Sequence, residues 1–291
     1  MAPEAVTLLA RHGLPASCAG DVEEVWAPLA ARYAAAARAS TARPFVIGLC
    51  GPQGSGKTTM AALLCDLVQA EGVSCTVLSL DDYYLPAESR RALGRSVHPL
   101  LAVRGPPGSH DVTALEEMID RLGRPGPAFL RRFDKASDTT KPESEWALAS
   151  GPFEVIILEG WCVGARPQDP AALGTPANRL EESRDPHALW RTYVNDQLAR
   201  RYAALFSRLN RLTLLTAPDF PTVVGWRQEQ ERALRARLAV QGRGMLQTMT
   251  DAQVEAFVAH YERLTRHILE EAPHRADDLV RLDARRRPIL A

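Results

Sequence analysis

The octet Gly51-Pro52-Gln53-Gly54-Ser55-Gly56-Lys57-Thr58 limits what this chain can fold into more than any other stretch. It satisfies G-x-x-x-x-G-K-[ST], and it stands between an apolar run, Pro44 to Cys50, and a segment of helical periodicity, Thr58 to Gln69. Glycines in that setting let the backbone turn so that successive N–H groups face inward. The N-terminus of the following helix adds partial positive charge. The expected product is a phosphate cradle contacted by Gly51, Gln53, Gly54, Ser55, Gly56, Lys57, Thr58 and Thr59. Lys57 is placed to reach the β- and γ-phosphates, and the Thr58 hydroxyl to ligate Mg²⁺. ATP and Mg²⁺ are therefore the expected cofactors.

A second β-rich run, Val73 to Leu80, completes a strand–helix–strand unit of the kind that builds parallel sheets. Phe153 to Leu158 reads as the strongest central strand, and Leu212 to Thr216 and Leu279 to Leu282 as two more. The fold expected from these runs is α/β. It is a three-layer P-loop NTPase fold with a mainly parallel five-stranded sheet and helical insertions forming a lid. Val22, Val25, Trp26, Leu29 and Tyr33 recur at helical spacing, so residues 1–43 are expected to form a helical segment packed on a P-loop domain spanning 44–291. Further helices are expected over Asp111 to Leu122, His187 to Phe206, Thr222 to Val240 and Ala252 to Glu270. Pro86 to Pro127 is otherwise rich in Pro, Gly and Arg, Pro167 to Pro186 reads as a polar insertion, and Arg285-Arg286-Arg287 reads as a solvated end.

Charge narrows the function classes. The chain carries 35 Lys+Arg against 35 Asp+Glu, and that balance argues against a nucleic-acid or polyanion binder. No apolar run approaches the length of a membrane span, and the opening Met1-Ala2-Pro3-Glu4 lacks a basic-then-apolar leader. Cys18, Cys50, Cys65, Cys75 and Cys162 are scattered, with no metal-ligand spacing, and read as reduced thiols of a cytoplasmic protein.

In an open parallel sheet, ligands gather at the carboxyl ends of the strands. Two acidic residues stand there: Asp81 in Leu80-Asp81-Asp82-Tyr83-Tyr84, and Glu159 after Ile157-Leu158. Phosphoryl transfer needs positioning and charge neutralisation, with a base for the acceptor hydroxyl. The expected catalytic set is Asp81 as base with Lys57 and Glu159, and the expected metal set is Thr58, Asp81 and Glu159. Cations follow in Arg104-Gly105-Pro106-Pro107-Gly108-Ser109-His110-Asp111 and in Arg131-Arg132-Phe133-Asp134-Lys135. Such residues suit an anionic acceptor. The expected acceptor contacts are Tyr83, Arg104, His110, Asp111, Arg132 and Lys135, although His110-Asp111 reads equally well as the start of the following helix.

Taken in order, GPQGSGKTT, SLDDYYL, RGPPGSHD, RRFDKAS, LEGWCVG, WRQEQE and GRGM…VEAFVAHYERLT resemble the D-glycerate 3-kinase family. The likeness runs from about Pro44 to Pro288. That family is similar to the wider group of P-loop kinases containing uridine kinase, phosphoribulokinase and pantothenate kinase. The resemblance implies ATP- and Mg²⁺-dependent phosphorylation of D-glycerate, a small-molecule acceptor, to 3-phosphoglycerate. It puts Asp81 where related kinases carry their proposed base and Glu159 at the second strand-end acid. Family members continue the F/Y-[DN]-K-[SA] run into a Gly-Asp-Arg segment, whereas this chain reads Asp138-Thr139-Thr140-Lys141-Pro142. The departure bears on the acceptor rather than on the kinase chemistry. Other hydroxyl acceptors (a nucleoside, pantothenate or a sugar acid) and an ATP-binding regulator are the competing readings.

Overall fold

A computed structural model describes residues 3–240 and 248–289. The Gly242–Met245 run noted above lies outside the described residues. The strands are β1 (Phe45–Cys50), β2 (Cys75–Ser79), β3 (Gly126–Leu130), β4 (Phe133–Asp134), β5 (Thr139–Thr140), β6 (Ala147–Gly151), β7 (Val155–Gly160), β8 (Arg211–Thr216), β9 (Asp278–Leu282) and β10 (Pro288–Ile289). The main sheet runs β10-β9-β8-β1-β7-β2. Its five longer strands are parallel, as expected, and the two-residue β10 adds a sixth, antiparallel to β9. So short an element carries no periodicity, and Pro288 lacks an N–H, which suits only an edge position.

The central strands are buried on both faces, which explains their unbroken apolar sequence. Phe45, Ile47 and Leu49 of β1, with Val155 and Ile157 of β7, enter one core. Val46, Cys50, Ile156 and Leu158 enter the other. This alternation makes the molecule three-layered. The Ala27–Ala39 helix buries Leu29, Ala30, Tyr33, Ala34 and Ala37 on the first face. It is fixed to β8 by Tyr33, whose hydroxyl lies 2.5 Å from Thr213 Oγ1.

The expected helix over Ala252 to Glu270 is two helices, Asp251–Val258 and Glu262–Glu271. Val254 and Val258 pack into the first core, whereas Tyr261, Leu264 and Ile268 pack into the second. The break thus carries the chain from one side of the sheet to the other. Within the Pro-, Gly- and Arg-rich stretch Pro86 to Pro127, Ala87–Ser96 is helical, and beyond it β3 pairs β6 while β4 pairs β5 in small antiparallel ladders beside the main sheet. The stretch 167–186 also holds a helix, Arg179–Arg184. All five cysteines are free, with Cys50, Cys65, Cys75 and Cys162 buried. Among the described residues no helix is long and apolar enough to cross a membrane.

Candidate active site

The phosphate cradle joins β1 to the Lys57–Ala70 helix. Gly54 and Gly56 hold φ of +79° and +84°, a region that side chains disfavour. A Cβ on Gly54 would also lie 2.6 Å from Trp226 Cβ, because the Phe220–Val240 helix packs directly on the loop. The carbonyl of Gly54 accepts from Arg286 Nε at 2.6 Å. Arg286 lies 5.4 Å over the Trp226 ring and pairs with Glu229 at 2.7 Å. Arg286 was expected in a solvated tail. It instead ties the last turn of the described chain to the cradle, since the parallel sheet brings the end of β9 to the same edge as the end of β1.

Glu159 ends β7 with Oε1 accepting from Ser79 Oγ at 2.6 Å and Thr58 Oγ1 at 3.0 Å. Its second oxygen, Oε2, is buried without a partner. Burial pushes the Glu159 carboxyl up, and Lys57 opposes that shift. A buried carboxylate oxygen left unpaired is costly, and a cation would satisfy it. Among the described residues no group of three or more His, Cys, Asp or Glu is arranged to hold a metal ion. The donors fit Mg²⁺ completed by phosphate oxygens and water, the usual habit of that ion.

Asp81 lies in the turn Leu80–Tyr83 that follows β2. Its Oδ2 receives Lys135 Nζ at 2.6 Å, and its Oδ1 accepts from the Tyr84 hydroxyl at 2.8 Å. Burial alone would raise the Asp81 pKa. The ammonium groups of Lys135 and then Lys57 outweigh it and hold the carboxyl well below the usual range. Tyr84 stacks on His110 with centroids 4.5 Å apart. Burial pushes the His110 imidazole down to about 4, so it is neutral at pH 7. His110 Nδ1 lies 2.6 Å from the Tyr202 hydroxyl, while its Nε2 is buried with no partner.

Arg104 belongs to a loop pinned from three sides. Tyr261 Oη donates to the Arg104 carbonyl at 3.1 Å, Trp161 Nε1 to the Gly105 carbonyl at 3.0 Å, and Gly105 N to Ser109 Oγ at 3.0 Å. Gly105 has φ of +123°, and a Cβ there would overlap the Tyr261 hydroxyl. The Arg104 guanidinium stands 5.9 Å over Phe133, whose ring is 5.1 Å from Tyr84. Asp81, Tyr84, Arg104, His110 and Lys135 therefore form one continuous cluster.

Tyr83, Asp111 and Arg132 fall elsewhere. Arg132 pairs with Asp82 at 2.8 Å, and Arg131 with Asp111 at 3.5 Å while lying 5.7 Å over Tyr83. Asp111 also caps the Val112–Leu122 helix by accepting from Ala114 N at 3.2 Å. These three residues brace the turn that carries Asp81 from behind. Three residues the sequence did not single out, Ser79, Tyr84 and Arg90, join the front cluster or its neighbours, as does Asp138, which opens the stretch where the sequence departs from the family pattern. The adjacent tyrosines Tyr83 and Tyr84 can be told apart only once the turn after β2 fixes which faces Asp81.

A cleft of about 300 Å³ opens from the cradle, bordered by Ser55, Gly56, Thr59 and Met60 on one side and by Trp26 and Arg287 on others.

No family model matches the chain. A kinase of Schizosaccharomyces pombe, itself described as uncharacterized, is 33% identical over 229 residues, covering 75% of this chain and 79% of the relative. The chloroplastic D-glycerate 3-kinase of Arabidopsis thaliana is 30% identical over 272 residues, covering 85% of this chain. This chain spans about half, 54%, of that relative's length. A solved structure of D-glycerate 3-kinase from Cryptococcus neoformans matches with a TM-score of 0.72 at 26% identity, over 91% of this chain and 96% of that one.

Proposed function

Since the chain belongs to the D-glycerate 3-kinase family of P-loop kinases, we propose that it transfers the γ-phosphoryl group of ATP to a hydroxyl of D-glycerate, giving 3-phosphoglycerate and ADP. The observation that carries the proposal is Asp81. It is an ionised carboxylate at a strand end, within the field of Lys57, in a cluster whose other members are cations, a neutral imidazole and tyrosines. A small hydroxy acid matches both halves of that cluster, one with its hydroxyl and the other with its carboxylate. A neutral nucleoside matches only the first.

Gly51, Gln53, Gly54, Ser55, Gly56, Lys57, Thr58 and Thr59 hold the phosphates in this reading, and the cleft beside Thr59 and Met60 receives the nucleoside half. Mg²⁺, when bound by Thr58 and Glu159 close to Asp81, supplies charge neutralisation on the phosphates. Lys57 adds a fixed cation at the β- and γ-phosphates. Asp81 accepts the hydroxyl proton as the glycerate oxygen forms its bond to the γ-phosphorus, and the bond to the β,γ-bridging oxygen breaks to release ADP. Tyr84 and Lys135 aim the Asp81 carboxylate, and Arg104 and His110 face the acceptor. Residues 44–291 act as the kinase domain, with 1–43 packed on it. The unpaired thiols suit the cytoplasm.

The test is phosphorus NMR of the product from ATP, Mg²⁺ and D-glycerate. A single 3-phosphoglycerate resonance is expected. A 2-phosphoglycerate product would overturn the regiochemistry, and turnover of a nucleoside or pantothenate without turnover of D-glycerate would replace the acceptor.

A further inference from the structure

Arg90 is 2% exposed, yet it is an arginine on a helix in a stretch that reads as loop. Its Nε donates to the Leu85 carbonyl at 3.1 Å and one terminal nitrogen to the Ala102 carbonyl at 3.0 Å. These bonds fix the guanidinium plane and leave the other terminal nitrogen pointing at Asp138 Oδ2, 2.6 Å away. Arg104 meets the other oxygen, Asp138 Oδ1, at 2.6 Å. One carboxylate thus sits between two guanidinium groups, with a charge-assisted hydrogen bond on each oxygen.

The two sides of this contact are built differently. The cations come from anchored elements: a buried helical residue, and a loop pinned by Tyr261 and Trp161. The anion comes from the turn of the β4–β5 hairpin, whose strands are two residues each, and its side chain is 38% exposed. Asp138 holds φ of +55° there, a left-handed conformation that Asp and Asn accept more readily than most residues. The same turn carries Lys135, the residue seated on Asp81. One short hairpin therefore places a carboxylate in the fork and an ammonium on the base.

A second, independent feature beside this cluster points to a ligand. His110, 5% exposed, has a buried Nε2 with no partner, and its ring stacks on Tyr84, whose hydroxyl donates to Asp81. A hydroxyl or carboxylate of a bound acceptor would satisfy it.

We propose that Arg90 and Arg104 form the carboxylate-recognising fork of the acceptor site, and that Asp138 is its internal occupant, exchanged for the acceptor's own carboxylate on binding. The proposal rests on the reading above that the acceptor is a hydroxy acid. It makes the free enzyme self-paired: the hairpin lends a carboxylate that a neutral alcohol cannot displace, so selection for acids is built into the exchange. It also gives the Asp138-Thr139-Thr140 sequence a role at the place where this chain departs from the family pattern.

Asp138→Asn tests it, because Asn keeps the left-handed backbone and removes the charge. An internal competitor lowers apparent affinity by the fraction of sites it fills, so its removal should lower the KM for D-glycerate by about 3- to 10-fold. The KM for ATP should hold, and D-glycerate should raise the melting temperature of the variant more than that of the wild type. Wild-type turnover of D-glycerate with an unchanged or raised KM in Asp138→Asn overturns this proposal and leaves the kinase reading intact. A wild type that does not turn over D-glycerate removes the premise, and the proposal with it. Should Asp138→Asn not fold, Arg104→Met leaves Arg90 paired to Asp138. It should raise the KM for D-glycerate about tenfold or more while the KM for ATP holds. An unchanged KM for D-glycerate, or an equal rise in both, would overturn the fork.

Discussion

Replacing Asp81 by Asn separates chemistry from scaffolding in one substitution. The structural cost is small. Lys135, the main partner, is 58% exposed, so the ion pair contributes at most about 1 kcal/mol. Removing the half-buried carboxylate relieves part of a desolvation penalty and offsets some of that loss. Asn still accepts the Tyr84 hydroxyl through its amide oxygen. For a chain of this size, 1 kcal/mol moves the melting temperature by about 2–4 °C. The chemical cost is large, because a positioned base contributes roughly 10² to 10⁴ in rate, or about 2.7 to 5.4 kcal/mol of barrier. The expected outcome is a kcat lower by about 10² or more, ATP affinity within about twofold of wild type, and a melting temperature within about 4 °C. Coupled ADP release, nucleotide titration and thermal unfolding measure the three. A kcat within threefold of wild type would refute the assignment of Asp81 as base. A large fall accompanied by a drop of about 10 °C would show that the residue holds the fold rather than the proton.

Three other substitutions address separate parts of the site. Lys135→Met removes the chief cation opposing burial at Asp81, so the carboxyl pKa moves upward. Wild-type Asp81 remains ionised below the ordinary Asp value of about 3.9, and the acid limb of kcat/KM should rise by about one pH unit in the variant; superimposable limbs would contradict the pairing. The sign is the same for stability: a depressed carboxyl pKa stabilises the fold above the unfolded value, and this contribution disappears as pH falls. Arg286→Asn keeps the positive φ of +65° and removes the tie to the Gly54 carbonyl, so the KM for ATP should rise by about 3- to 10-fold while the KM for D-glycerate is unchanged. A selective loss for the acceptor would refute the tie's role in shaping the cradle. Glu159→Gln should raise the Mg²⁺ concentration for half-maximal rate by about tenfold or more, read by metal titration at fixed ATP, and an unaltered titration would remove Glu159 from the metal set.

Much of this architecture was legible in the sequence because the responsible residues act locally. The cradle needs glycines, a lysine and a hydroxyl in fixed order between a strand and a helix. The two-sided burial of β1 and β7 writes itself as continuous apolar runs. Asp81 and Glu159 could be expected near one another because parallel strands point their carboxyl ends at one edge, and both lie in the field of Lys57 there.

What was not legible depends on distant contacts. Arg90 sits on a helix whose composition is polar and Gly-containing, so only its carbonyl partners and Asp138, 48 positions away in sequence, reveal it as buried. Arg286 looks like one of three tail cations until β9 is seen to return it to Gly54, 232 positions earlier. The division of the arginines is equally invisible. Arg104 faces the Asp81 cluster while Arg132 pairs with Asp82, because Asp81 and Asp82 stand about a third of a turn apart in the 3₁₀ turn Leu80–Tyr83. The break at Ala259–Tyr261 escaped notice because the apolar spacing continues through it while the core being served changes.

ADP release by the purified protein with ATP and Mg²⁺, measured with D-glycerate, with L-glycerate and with neither, tests the central claim most directly. Strong stimulation by D-glycerate alone is predicted, since in the proposed acceptor site a carboxylate fork and a single base select one hydroxyl for the γ-phosphate. Equal stimulation by both enantiomers, or none by either while ATP still binds, would contradict it.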